Sequence, residues 1–240
     1  KEEGILAGLE RAREVFRQVD AGIHLNVFMK DGDSMKPGDI AFEAEGSRIS
    51  LLSAERLALN IMQRMSGVAT LTQRYVALCQ GTKAKILDTR KTTPNFRIFE
   101  KEAVRIGGGV NHRMGLYDMI MIKDNHIDFA GGIEQALNSV EVYLNKKGKQ
   151  LKIEIEARDL KEVEEILRVG KGHRIMLDNF NYADTTTAVQ LIGDAFETES
   201  SGGITLSTVR EYALCGVDYI SVGALTHSYV GVDMSLKATI

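Results

Sequence analysis

The sequence predicts an α/β fold, with a small α+β layer followed by a parallel sheet that closes wholly or partly into a barrel. Three observations predict it. Short apolar runs recur at Lys85–Leu87, Met119–Ile122, Lys152–Ile155, Arg174–Leu177, Ala195–Thr198 and Tyr219–Val222, each of strand length. Helix-period stretches lie between them at Leu160–Val169, Thr185–Ile192 and Leu206–Cys215, and repeated βα units build parallel sheets. Each strand run also ends in polar or glycine residues, as strands do where they open into the loops of a barrel mouth. A flat, doubly wound sheet is the alternative use of the same units.

The upstream elements follow in order. Leu6, Leu9, Ala12, Val15, Phe16 and Val19 share one face of a helix. Leu25–Met29 alternates as a strand and breaks at Lys30–Asp33. Pro37–Asp39 is a second turn, and Ile40–Glu45 and Arg48–Leu52 read as short strands around Glu45–Ser47. A long helix is expected from Ser53 to Gly67, and a second from Ala69 to Gln80, stopped by Gly81. The division expected is a small N-terminal domain with its linking helix at 1–67 and a barrel domain at 68–240.

The 240-residue chain is 44% hydrophobic and 26% charged, with formal net charge −3, an ordinary globular composition. No apolar run is long enough to span a bilayer, and no secretory leader is read. Neither a basic tail nor an aromatic-studded basic stripe is present, so no nucleic-acid partner is expected. Cys79 and Cys215 sit in apolar helical patterns and read as reduced thiols of a cytoplasmic protein.

Function concentrates in 85–127. Arg90, Lys91, Arg97, Lys101, Arg105, His112, Arg113, Lys123 and His126 gather there around Gly107-Gly108-Gly109. Such clustering in an acidic chain predicts a pocket for a polyanionic ligand. Arg97, Lys101 and Arg105 follow helical spacing, so a solvated face or a dimer contact explains them equally well. His126 reads as orienting the loop after its strand, while His24, His173 and His227 read as surface or loop residues. Glu156 and Asp178 end successive strands and can hold Mg²⁺, bind sugar hydroxyls or exchange protons; structural ion pairs with Lys91 or Lys123 are the plainer alternative. Ser201, Gly202 and Gly203 precede a helix, a suitable place for a phosphate, with Gly223 and Ala224 after the final strand.

The segments DTRKTTP (88–94), GGGVNHRMGLYDMIMIKDNHI (107–127), IEIEA (153–157), IMLDNF (175–180), SGGI (201–204) and ERLALNIMQRMSGVAT (55–70) closely resemble the quinolinate phosphoribosyltransferase family. The resemblance runs in order from about Gly4 to Lys237. It implies an open, incomplete α/β barrel behind a small α/β sandwich domain. Family members carry further elements before KEEGILAGLE, so that domain reads as N-terminally truncated. The resemblance also implies a homodimer, Mg²⁺ as cofactor, and quinolinate and phosphoribosyl pyrophosphate as substrates. By resemblance, Arg90, His112 and Arg113 grip quinolinate, and Lys91 and Lys123 lie near the reacting centre. Arg56 is expected to enter the partner's site. Glu156 and Asp178 take the ribose hydroxyls and Mg²⁺ and act with Lys91 and Lys123 as the catalytic set. Ser201, Gly202, Gly203, Gly223, Ala224 and Leu225 hold the 5′-phosphate. The alternatives are a relative acting on another aromatic acid and a non-catalytic binding protein of the same fold.

Overall fold

The computed structural model describes residues 1–239. In chain order it contains β1 (Gly4–Ile5), α1 (Leu9–Val19), β2 (His24–Val27), β3 (Ser34–Met35), β4 (Phe42–Glu45), α2 (Arg48–Leu78), β5 (Lys85–Leu87), α3 (Arg97–Ile106), β6 (Ile120–Ile122) and α4 (Asp124–Ala130). There follow α5 (Ile133–Lys147), β7 (Ile153–Ala157), α6 (Leu160–Val169), β8 (Arg174–Asp178), α7 (Tyr182–Ile192), β9 (Glu197–Ser201), α8 (Val209–Leu214), β10 (Tyr219–Ser221) and α9 (Ala224–His227). These form two compact units that interleave along the chain. The first takes Lys1–Val76, Lys91–Val110 and the chain from Gly223; the second takes Ala77–Arg90 and Asn111–Val222.

In the first unit β1 pairs antiparallel with β3, and β2 with β4. Helix α1 buries the predicted stripe Leu9, Ala12 and Phe16. It meets Ala54, Ala58 and Met62 of α2, with Leu6 and Ile23 completing the cluster. Each large side chain fully buried there contributes about 1.5–3 kcal/mol. The first turn of α1 is capped from a distance: Leu9 N–H donates to Asp31 Oδ1 at 2.9 Å, satisfying an amide that the helix leaves open.

Arg48–Leu52, read as a strand, forms the first turns of α2. The separate helices expected on either side of Gly67 are one helix of 31 residues. Gly67 serves contact rather than termination, since a Cβ there would lie 2.3 Å from the Val230 carbonyl oxygen. The triple glycine also has a packing role: a Cβ on Gly107 would lie 2.4 Å from the Ala69 carbonyl oxygen. Lys101, allowed a solvated face from sequence, is fully buried on α3.

The second unit is an α/β layer. Its sheet has six parallel strands in the order β5-β10-β9-β8-β7-β6. From β6 to β10 the order follows the chain, and the first strand lies beside the last. That is the cyclic order of a barrel with one ladder absent; it lacks the reversal of a doubly wound sheet. Helices α5, α6, α7 and α8 contact β6, β7, β9 and β10 and bury Ile133, Leu137, Val163, Ile166, Ala188 and Ile192. Asp159 and Asn181 cap α6 and α7 by accepting from the amides of Glu162 and Asp184.

Strand β7, Ile153–Ala157, is buried at every position. Alternation sends Ile153, Ile155 and Ala157 to one face and Glu154 and Glu156 to the other. In register, Glu154 pairs with Arg174, Met176 with Glu199, and Asp178 with Ser201. The face away from the apolar residues therefore carries two polar levels. Glu154, Arg174 and Glu199 lie deep; Glu156, Asp178 and Ser201 lie nearer the carboxyl ends of the strands.

Candidate active site

The deep level of the second unit holds a buried network. Glu154 and Glu199 are fully buried, and the His112 and Arg174 side chains are 4% and 9% exposed. Arg174 donates to Glu199 Oε2 at 2.8 Å and stacks its guanidinium 3.9 Å from the Tyr219 ring centroid. Desolvation raises both carboxyls, Glu199 to about 8, and the neighbouring Glu154 carboxylate pushes Glu199 the same way. His112 Nε2 lies 3.0 Å from Glu154 and 3.6 Å from Glu199. Its Nδ1 accepts from Arg113 N–H at 2.7 Å. A ring that accepts at Nδ1 carries its proton on Nε2, which faces the two acids without an aligned hydrogen bond to either, while the Nδ1 contact holds the Arg113 backbone. Asp88, buried after β5, accepts from Asn111 Nδ2 at 2.5 Å and from His112 N–H at 2.8 Å.

The outer level is the more open one. Lys123 follows β6 and donates from Nζ to Glu156 Oε2 at 2.9 Å, with the Lys123 side chain 48% exposed. His126 Nδ1 accepts from Lys123 N–H at 2.9 Å, so the histidine shapes this loop. Arg113 is half-buried, and its guanidinium reaches the Met119 carbonyl oxygen at 3.5 Å and Met121 Sδ at 3.4 Å. Desolvation, and then the like charge of Arg90, lowers its pKa. Two guanidinium groups that repel each other in a poorly hydrated place favour an incoming anion. Asp178 ends β8, and its Oδ2 accepts from Asn179 Nδ2 at 2.6 Å. Ser201 ends β9, Gly202 and Gly203 have φ of +100° and +59°, and the next helix begins only at Val209. The helix start invoked from sequence is thus six residues beyond Gly203 and belongs to a six-residue helix.

The first unit carries the remaining predicted residues. Arg56 is exposed on α2, beside exposed Ile49, Leu52 and Leu57. A cavity of about 990 Å³ is lined by Lys91, Thr92, Thr93, Arg64, Thr226, His227 and Tyr229, among others. Arg64 is a structural clamp that sequence reading missed. It pairs with fully buried Glu100 at 3.0 Å, bonds the Thr93 hydroxyl, and lies between the Phe96 and Tyr229 rings at 4.9 and 5.1 Å. Glu100 in turn accepts from Thr93 N–H at 3.0 Å, and Thr226 Oγ1 donates to the Lys91 carbonyl at 2.9 Å. These bonds fix the backbone that carries Lys91. Gly223 and Ala224 open α9 beside His227, and Leu225 is buried. His227, given no role from sequence, therefore shares a cavity with Lys91.

Fold and site together define an α/β protein with its charged groups at the carboxyl ends of a parallel sheet, as in enzymes that handle anionic substrates. The sequence matches the family model described as Quinolinate phosphoribosyl transferase, C-terminal domain over residues 68–237, and the N-terminal domain model over 1–66. Among curated relatives, the chloroplastic nicotinate-nucleotide pyrophosphorylase [carboxylating] of Arabidopsis thaliana is 47% identical, covering 99% of this chain and 72% of its own. The probable nicotinate-nucleotide pyrophosphorylase [carboxylating] of Bacillus subtilis is 41% identical, covering 100% and 82%. The crystal structure of NadC from Streptococcus pyogenes superposes with TM-score 0.94 at 41% identity, covering 99% and 83%. The chain belongs to the quinolinate phosphoribosyltransferase family.

Proposed function

We propose that this chain transfers the phosphoribosyl group of phosphoribosyl pyrophosphate to quinolinate with decarboxylation, giving nicotinate mononucleotide, pyrophosphate and CO₂ in NAD biosynthesis. The observation that carries this reading is the Arg90–Arg113 pair. Arg113 is half-buried, lowered by desolvation and by Arg90, and contacts only a carbonyl oxygen and a thioether among the protein's described hydrogen-bond acceptors. A planar dicarboxylate supplies what Arg113 lacks, because guanidinium donors meet carboxylate oxygens as a fork.

The other residues take roles that their chemistry supports. His112 joins Arg113 in gripping quinolinate, a role supported by its place beside Arg113, whose backbone N–H its Nδ1 accepts. Lys123, anchored on Glu156, adds a cation beside the ring. Lys91 is the cation for the pyrophosphate, supported by its place in a cavity beside Thr92, Thr93 and Thr226. Glu156 and Asp178 take the ribose hydroxyls and steady the positive charge that develops at the anomeric carbon. Ser201, Gly202 and Gly203 hold the 5′-phosphate. Mg²⁺ fits the donor set: among the described residues, Glu156 Oε2 and Asp178 Oδ2 take side-chain donors, leaving each carboxylate a second hard oxygen. When bound, the ion neutralises the departing pyrophosphate. Once the ring nitrogen is ribosylated and cationic, the C–CO₂ bond breaks. Its electron pair stays on the carbon beside that nitrogen, which then takes a proton. The protein supplies position and electrostatics.

The first half of α2 supports a homodimer in which Arg56 enters the partner's site, since Ile49 and Leu52 are 79% and 71% exposed next to it. No described helix is long and apolar enough to cross a membrane. Free Cys79 and Cys215 support a reducing, cytoplasmic setting. Calorimetric titration of Arg113→Ala tests the substrate assignment: quinolinate affinity falls at least tenfold and phosphoribosyl pyrophosphate affinity stays within threefold. Equal losses would contradict it.

A further inference from the structure

We propose that Asn179 is a positioning residue for the phosphoribosyl donor. It locks the Asp178 carboxylate and the Ser201–Gly203 turn into one preset unit. This rests on the reaction proposed above. The backbone of Asn179 has φ +58°, and Asn95 shares that left-handed region among the described non-glycine residues. Asparagine tolerates this conformation better than most side chains. Asn179 is nevertheless exposed, so the strain is not held for core packing, and strain kept without a packing role marks a functional constraint.

The contacts say what is constrained. Asn179 Nδ2 donates to Asp178 Oδ2 at 2.6 Å, which fixes the plane of that carboxylate. Asn179 N–H donates to the Ser201 carbonyl at 2.9 Å, extending the β8–β9 ladder one step past the Asp178–Ser201 pair. The side chain then lies against Gly202, where an added Cβ would meet Asn179 Oδ1 at 2.2 Å and Asn179 Cγ at 2.6 Å. One side chain thus touches the group assigned to the ribose hydroxyls and the turn assigned to the 5′-phosphate. Both belong to the same substrate, and their spacing must match it before binding.

Asn179→Gly removes the amide and keeps the backbone at ease, so it separates positioning from fold. Calorimetry with phosphoribosyl pyrophosphate in MgCl₂, without quinolinate, should show affinity at least tenfold weaker than wild type. Quinolinate affinity should stay within twofold and the melting temperature should not fall. Asn179→Asp, which replaces the donor by a second carboxylate beside Asp178, should weaken donor binding at least as much. Wild-type donor affinity in Asn179→Gly would overturn the proposal. So would equal losses for both substrates. If wild type binds the donor yet never turns over quinolinate, the proposed reaction fails, while a donor-selective loss in Asn179→Gly still upholds the positioning role.

Discussion

Glu199→Gln should flatten the fall of stability with rising pH. Glu199 titrates from 4.5 in the open chain to about 8 in the fold, where burial disfavours its charge. Below pH 4.5 folded and unfolded chains both hold the proton, and stability is at its fullest. Between 4.5 and 8 the unfolded chain releases a proton that the folded chain retains, so stability falls as pH rises; above 8 both are ionised and the fall ends. At about 1.4 kcal/mol per pH unit the ceiling is on the order of 5 kcal/mol. Relaxation around the buried site and coupling to Glu154 bring the expected effect to about 2 kcal/mol. Glutamine keeps the volume and an acceptor for Arg174, which now donates at 2.8 Å, but has no proton to lose. Urea unfolding at pH 5, 6.5 and 8 measures it. Wild type should lose stability across the series, and Glu199→Gln should lose about 2 kcal/mol less, with a residual slope from Glu154. Parallel profiles would refute the assignment of a buried, proton-holding Glu199.

Two further outcomes follow. Arg64→Ala leaves Glu100 buried without its guanidinium partner and should destabilise the chain by about 3 kcal/mol in denaturant titration, raising the KM for phosphoribosyl pyrophosphate through the Lys91 loop. Leu52→Glu with Leu57→Glu places charges on the exposed apolar face of α2. Sedimentation should then show dimers for wild type and monomers for the variant, with unchanged far-UV circular dichroism.

The parallel sheet was legible because buried strands read as short apolar runs, and most of those runs lie on observed strands. Strand β9 was displaced, expected at Ala195–Thr198 and found at Glu197–Ser201. Its central Glu199 looks unsuited to a core until Arg174 is known to meet it. Arg48–Leu52 misled because a short segment with apolar Ile49, Leu51 and Leu52 fits either period, and the exposed Ile49 and Leu52 concealed which face α2 buries. Glu156 was found as a strand end. Its neighbour Glu154 was missed, although the alternation in Ile-Glu-Ile-Glu-Ala puts both on one face. The cations of 85–127 were visible by charge, yet charge could not tell Arg113, half-buried beside Arg90, from Lys101, buried on α3. Arg64 and Glu100 left no local signal because each meets the other across 36 residues of chain, and the role of Asn179 shows only through its contacts with Ser201 and Gly202 at the end of the next strand.

Incubation with quinolinate, phosphoribosyl pyrophosphate and Mg²⁺ tests the central claim most directly, with nicotinate mononucleotide and CO₂ measured in equal amounts. Product should depend on all three additions and disappear with a chelator. Absence of product from quinolinate, or turnover of nicotinic acid or another aromatic acid in its place, would contradict it.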